Sequence, residues 1–204
     1  MKPGQRAASV SPAQTNELAA GPASIAGTRV VFDFDGTLRS GDAFIGFFLT
    51  LLRGAPVRWL GVVLAAPLAI VAGLLPDGRR RFASVLLWVA TAGVAEEAFR
   101  TAMRDHARAQ GSRERFYEEG LACLRAHQDA GDEPVIVTGA AEDLVVELLR
   151  ERGVDVPVIG SQLNRTAGGM VCTDHCFGRR KLALLAKRGY PATWQWTYSD
   201  SAAD

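Results

Sequence analysis

Residues 28–32 read T-R-V-V-F and run straight into D-F-D-G-T at 33–37. A β-branched and aromatic run that ends in a Gly-containing acidic loop reads as a buried strand delivering two carboxylates to its carboxyl end. The rest of the chain fits around that strand. From Asp42 to about Gly120 the pattern is helical and holds the most apolar part of the sequence. Residues 132–137 form a second strand, after which Thr138-Gly139-Ala140 are expected to open a helix reaching about Arg152. That helix carries Leu144, Val145, Leu148 and Leu149 on one face, with Gly153 as its C-cap. A third strand is expected at 156–159, a turn-rich hairpin near 167–169, a short helix at 181–187 and a last strand at 193–198 ending in Ser199-Asp200. Strands alternating with helices predict an α/β fold, a Rossmann-like parallel sheet with helices on its faces. Chemistry in such sheets collects at the carboxyl ends of the strands. Asp33, Thr138 and Asp200 all fall there.

Those residue types suit one reaction. Hydrolysis of a phosphate monoester needs a nucleophile, a proton donor for the leaving oxygen and positive charge around the phosphoryl oxygens. Asp33 can attack phosphorus. Asp35 can protonate the leaving alkoxide and then activate water. Clustered carboxylates repel one another and the phosphate, so a cation is required. Mg²⁺ suits Asp33, Asp200 and the backbone carbonyl of Asp35, with waters and a phosphate oxygen completing the shell. Thr138 and the amides of Gly139 and Ala140, at the expected helix start, would form an anion site. Lys181 adds a charge able to contact Asp33 and the phosphate. Asp204, four residues after Asp200, would orient that lysine or a metal-bound water.

In this order, D-F-D-G-T-L at 33–38, V-I-V-T-G-A ending at Ala140, G-R-R-K ending at Lys181 and Y-S-D-S-A-A-D ending at Asp204 resemble the haloacid dehalogenase superfamily of phosphohydrolases. Asp33 and Thr138 lie 105 positions apart, far more than a crossover helix needs. The excess at 42–118 looks like the helical cap of the phosphoserine-phosphatase branch, leaving 28–41 and 119–204 as the core. Within that cap, residues 59–76 contain no charged side chain. A membrane-crossing helix needs about 20 apolar residues, so this run is borderline. Asp33 precedes the insertion while Thr138, Lys181 and Asp200 follow it, so the chain crosses a bilayer an even number of times or not at all. Arginines flank the run on both sides, Arg53 and Arg58 before it and Arg79, Arg80 and Arg81 after it. A re-entrant or interfacial helical hairpin broken near Pro67, on the cytoplasmic face of a bacterial inner membrane, is therefore expected. The bland alternative is a buried helical bundle.

An apolar, Arg-flanked cap implies a phosphorylated lipid substrate. The stretch from Arg29 to Asp204 resembles the bacterial phosphatidylglycerophosphatase C family through L-L-W at 86–88, G-S-Q at 160–162, C-F-G-R-R-K at 176–181 and Y-S-D-S at 198–201. That resemblance implies removal of the terminal phosphate of phosphatidylglycerophosphate to give phosphatidylglycerol. Relatives continue with a further strand and helix beyond the position of Asp204. The abrupt end raises one alternative, a truncated, inactive copy that binds lipid or a partner; a soluble small-molecule phosphatase, phosphoserine being the obvious substrate, is a separate one.

Composition narrows the field. A net charge of +1 gives no support for nucleic-acid binding, and three cysteines give no disulfide framework, which fits a reducing compartment. Residues 1–27 are rich in Ala, Ser, Pro, Gly and Gln and lack a signal peptide's apolar middle; a disordered tail is expected. Cys172, His175 and Cys176 lack a fourth ligand for zinc and read as structural. His106 and His127 read as solvated, and Trp194 and Trp196 as packing. Asp42 either caps a helix or touches substrate. Arg179 and Arg180 read as a solvated turn, or as contacts to a lipid headgroup.

Overall fold

The computed structural model describes residues 28–111, 115–190 and 194–200. The expected tail at 1–27 and Asp204 lie outside them. Strand β1 (Arg29–Phe32) is followed by four helices, α1 (Ala43–Arg53), α2 (Pro56–Gly73), α3 (Gly78–Thr91) and α4 (Glu96–Gln110). Helix α5 (Glu118–Asp129) then leads through β2 (Glu133–Ala141) and α6 (Glu142–Arg150) to the hairpin of β3 (Val158–Thr166) and β4 (Gly169–Asp174). Helix α7 (Arg179–Lys187) and β5 (Trp196–Tyr198) complete the described chain.

The five strands form one sheet in the order β4-β3-β2-β1-β5, parallel throughout except for the antiparallel β3–β4 pair. Alternate side chains of the central strands enter different cores, as the two-residue period of a strand requires. Val30, Phe32 and Ile136 pack with Phe47 of α1, Phe99 of α4, Leu121 of α5 and Leu144 of α6. Val31, Val135 and Val137 pack on the other face against Leu184 and Leu185 of α7. The fold is therefore an α/β sheet covered on both sides, as the alternating pattern predicts.

Helices α1 and α4 share the main core with the sheet, which α3 enters at Leu87, whereas Leu52 of α1, Val62 of α2 and Ala90 of α3 form a separate small cluster. Among the described residues, α2 is long and apolar enough to cross a membrane, and only 6% of it is buried. Leu64 is 71% exposed, Leu68 64% and Leu74 82%. The bland alternative of a buried bundle does not hold. Nor does the expected break at Pro67, which lies inside an uninterrupted α2. One proline removes a single helical hydrogen bond, while the surrounding Leu and Ala favour the helix. The turn falls instead at 74–77, where Asp77 adopts a positive φ of 58°. There Gly73 and Gly78 bring two backbones into contact; a Cβ on Gly78 would overlap the Gly73 carbonyl.

Helix α3 is tied to the β3–β4 hairpin. Trp88 Nε1 donates to Thr166 O (2.9 Å), Met170 N to Thr91 Oγ1 (2.8 Å) and Cys172 N to Ser84 Oγ (3.1 Å).

Both helical histidines are buried, not solvated. The Thr50 hydroxyl donates to Gly46 O (3.1 Å) and takes its second bond, 2.9 Å long, from Nδ1–H of His106. His106 Nε2 is left buried without a partner. Burial, reinforced by Arg39 and Arg115, pushes the ring's pKa down to about 4. The folded chain thus holds His106 neutral, while the unfolded chain protonates it near pH 6.5. Its stabilising contribution is complete above that value and is lost as pH falls toward 4. Thermal unfolding should show a loss on the order of 3 kcal/mol across that window, and His106→Gln should flatten it.

Candidate active site

Two parallel strands bring the acidic residues together. β1 and β5 pair with Phe32 opposite Tyr198, and the Asp33 amide continues the ladder by donating to Tyr198 O (2.8 Å). The Tyr198 ring stacks on Phe32 at 4.6 Å, and its hydroxyl meets Nε2 of the buried His127 at 3.0 Å. His127 Nδ1 is in turn held by Asp132 Oδ2 at 2.7 Å. Immediately beyond β5, the Asp200 amide donates to Thr37 Oγ1 (2.9 Å). Asp200's carboxylate lies directly against Gly36, whose φ is +85° and whose missing Cβ would overlap it. Only glycine suits that position, on both conformational and steric grounds.

Lys181 Nζ reaches Asp33 Oδ1 at 3.4 Å, both side chains being 12% exposed. The lysine stands in the first turn of α7, as the G-R-R-K pattern predicts. A cavity of about 410 Å³ opens beside this pair, walled by Val31, Val137, Leu185 and Trp194.

The Asp35 carboxylate is tethered through one of its oxygens. Its Oδ1 accepts from the Ala43 amide at the start of α1 (2.9 Å). Burial chiefly raises its pKa to about 6; the Ala43 hydrogen bond and Arg39 oppose that rise, and Asp42 and Asp33 add to it. Asp42 is the helix cap, accepting from the Ile45 amide at 2.8 Å. Arg39, only 2% exposed, lies among these groups with Nε lacking a partner. No local pattern marks it, because its neighbours come from the loop it closes and from the 115 region.

Thr138 and Gly139 depart from expectation. They belong to β2, which runs to Ala141 before α6 begins at Glu142. The register with β3 shifts between Val137 and Ala141. Thr138 is fully buried, and its hydroxyl accepts from the Ala140 amide (3.0 Å). That amide, expected to bind an anion, is thus already engaged. Gly139 O accepts from Ser161 Oγ (2.7 Å), which also receives the Cys176 amide and sits 3.0 Å from His175 Nδ1. Cys172 and Cys176 point their thiols at the carbonyls of Asp174 and Ile159. The His175 ring stacks on Phe177, and the guanidinium of Arg79 lies 4.2 Å above the centre of the Phe177 ring. The hairpin tip therefore touches a loop bordering Gly139, a contact no sequence window contains.

The donors available to a cation are the carboxylates of Asp33 and Asp200 and the Asp35 carbonyl. This all-oxygen set matches the chemistry of Mg²⁺. Among the described residues no three His, Cys, Asp or Glu side chains form a metal-holding group; a cation held here would need the backbone carbonyl as well as the two carboxylates.

The model of haloacid dehalogenase-like hydrolases matches residues 30–204. The chain belongs to that family. A protein with unknown function from Bordetella pertussis Tohama I has 20% identity, covers 87% of this chain and 84% of its own, and superposes with a TM-score of 0.63. A conserved functionally unknown protein from Anaerococcus prevotii DSM 20548 has 11% identity, with 85% and 72% coverage and a TM-score of 0.52. At these identities the shared feature is the fold.

In this haloacid dehalogenase-like hydrolase, Gly36→Ala is expected to lose about 1–2 kcal/mol from backbone conformation alone and to displace Asp200. Thermal unfolding and a Mg²⁺ titration would register the two effects separately.

Proposed function

We propose that this chain is a Mg²⁺-dependent phosphatase of membrane lipids, removing the terminal phosphate of phosphatidylglycerophosphate to leave phosphatidylglycerol. The observation that carries the proposal is the meeting of Asp33, Lys181 and Asp200 in one molecule with an exposed apolar helix.

Asp33 would attack phosphorus and take the phosphoryl group as an acyl phosphate, the P–O bond to the glycerol oxygen breaking as the new one forms. Asp35 would give its proton to that leaving oxygen, then accept one from the water that releases inorganic phosphate. Lys181 would hold Asp33 and offset charge on the phosphoryl oxygens. Magnesium, when held by Asp33, Asp200 and the Asp35 carbonyl, would neutralise the carboxylates and polarise those oxygens.

Helix α2 would lie in the lipid interface without crossing it. Both its ends are tied to the body of the protein, through the Leu52–Val62–Ala90 cluster at one end and Arg79 on Phe177 beyond the other. Each Leu or Val moved fully out of water contributes about 1.5–3 kcal/mol. Arg53 and Arg81 flank the helix, Arg58 stands in its first turn, and all three would favour an anionic, cytoplasmic leaflet.

Phosphate release from phosphatidylglycerophosphate is expected to require Mg²⁺ and to fall at least about 10³-fold in Asp33→Asn. Faster turnover of phosphoserine than of the lipid would overturn the lipid assignment. Co-sedimentation with anionic vesicles should drop about tenfold or more in Leu64→Glu/Leu68→Glu; unchanged sedimentation would refute the interfacial helix.

A further inference from the structure

The tip of the α2–α3 hairpin carries an excess of positive charge beside the phosphoryl site. Arg80 and Arg180 approach the same Asp77 carboxylate, at 3.7 and 3.8 Å, and Arg79 lies over Phe177. Two guanidiniums thus share one carboxylate at ion-pair distances too long for hydrogen bonds, and a third stands beside them on an aromatic ring. Arg80 Nε is buried with no partner at all. His175 adds no further charge, since burial and the charges of Arg79, Arg180 and Arg80 lower its pKa and favour the neutral ring. Asp174, the next acidic group in this region, lies 3.9 Å from Lys187.

Position gives this charge its meaning. Arg180 immediately precedes Lys181, the partner of Asp33. Phe177, under Arg79, and the Cys176 carbonyl lie within van der Waals contact of a side chain built on Gly139. On its other side the cluster adjoins Leu74 and Leu75, which are exposed at the end of the apolar helix. A ligand filling the site would carry acyl chains, then one anionic group, then a second within a short linker of Asp33. Guanidinium forks match phosphate oxygens in pairs, which a single ammonium cannot do.

We infer that Arg79, Arg80 and Arg180 form a second phosphate subsite, binding the phosphodiester of a glycerophospholipid whose headgroup ends in the phosphomonoester presented to Asp33. The subsite rests on the phosphatase chemistry proposed above and adds its selectivity. Lipids with two phosphates are chosen over phosphatidic acid, which has the same chains and only the terminal ester.

The test compares the full chain with Arg79→Gln/Arg180→Gln on two matched pairs. In mixed micelles the pair is phosphatidylglycerophosphate against phosphatidic acid; in water it is glycerophosphoglycerophosphate against glycerol 3-phosphate. The native chain should favour the two-phosphate member of each pair by about 10- to 100-fold in kcat/KM. The double variant should lose that preference through KM. Equal turnover of both members by the native chain, or an equal loss on all four substrates in the variant, would overturn the subsite. Preference kept in water but absent in micelles would support the subsite and count against the membrane assignment. Calorimetry with glycerophosphoglycerol, which bears the diester alone, reads the subsite without turnover. Binding to the native chain that is lost in the double variant supports the inference even if no ester is hydrolysed, and absence of native binding overturns it.

Discussion

The parallel docking of β5 against β1 is the contact on which the site depends. It places residue 200 alongside the loop that carries residue 33, although the two are far apart in sequence, and it does so through backbone hydrogen bonds that are indifferent to charge. Like charges brought together in this way repel, and their repulsion must be met by the rest of the fold. The Phe32–Tyr198 stack and the buried His127–Asp132 pair hold the edge strand. Lys181 supplies one compensating charge from the far face of the sheet. In the proposed function a cation would complete the balance, held by Asp33, Asp200 and the Asp35 carbonyl.

The cap is joined to this arrangement through the β3–β4 hairpin. Trp88, Thr91 and Ser84 bond to the backbone of that hairpin, and Gly169 leaves room for Trp88 against it. From β4 the chain passes directly to His175, Phe177 and Lys181. One covalent stretch therefore connects the hairpin that holds α3 with the lysine that holds Asp33.

Much of this was legible in the sequence because the signals are local. The strand before Asp33, the lysine of G-R-R-K and the uncharged run each declare themselves within a dozen residues. What escaped depends on partners distant in sequence. β2 continues past Thr138 because β3 offers it a bonded neighbour, with a register shift that no propensity encodes. Helix α2 passes through Pro67 and turns at a glycine pair whose importance emerges only when the two backbones touch. His106 and His127 sit among charged neighbours in sequence, yet they face Thr50 and Tyr198 in space. Arg79 stacking on Phe177 spans nearly half the chain.

The attachment of α2 at both ends has a mechanical consequence. An eighteen-residue helix is about 27 Å long, and one held at each extremity can neither pivot nor sink at one end. On a bilayer it would act as a runner, setting the height and heading of the whole molecule together. Under the function proposed, the protein would then search by gliding in two dimensions, with Asp33 at a constant elevation above the headgroups.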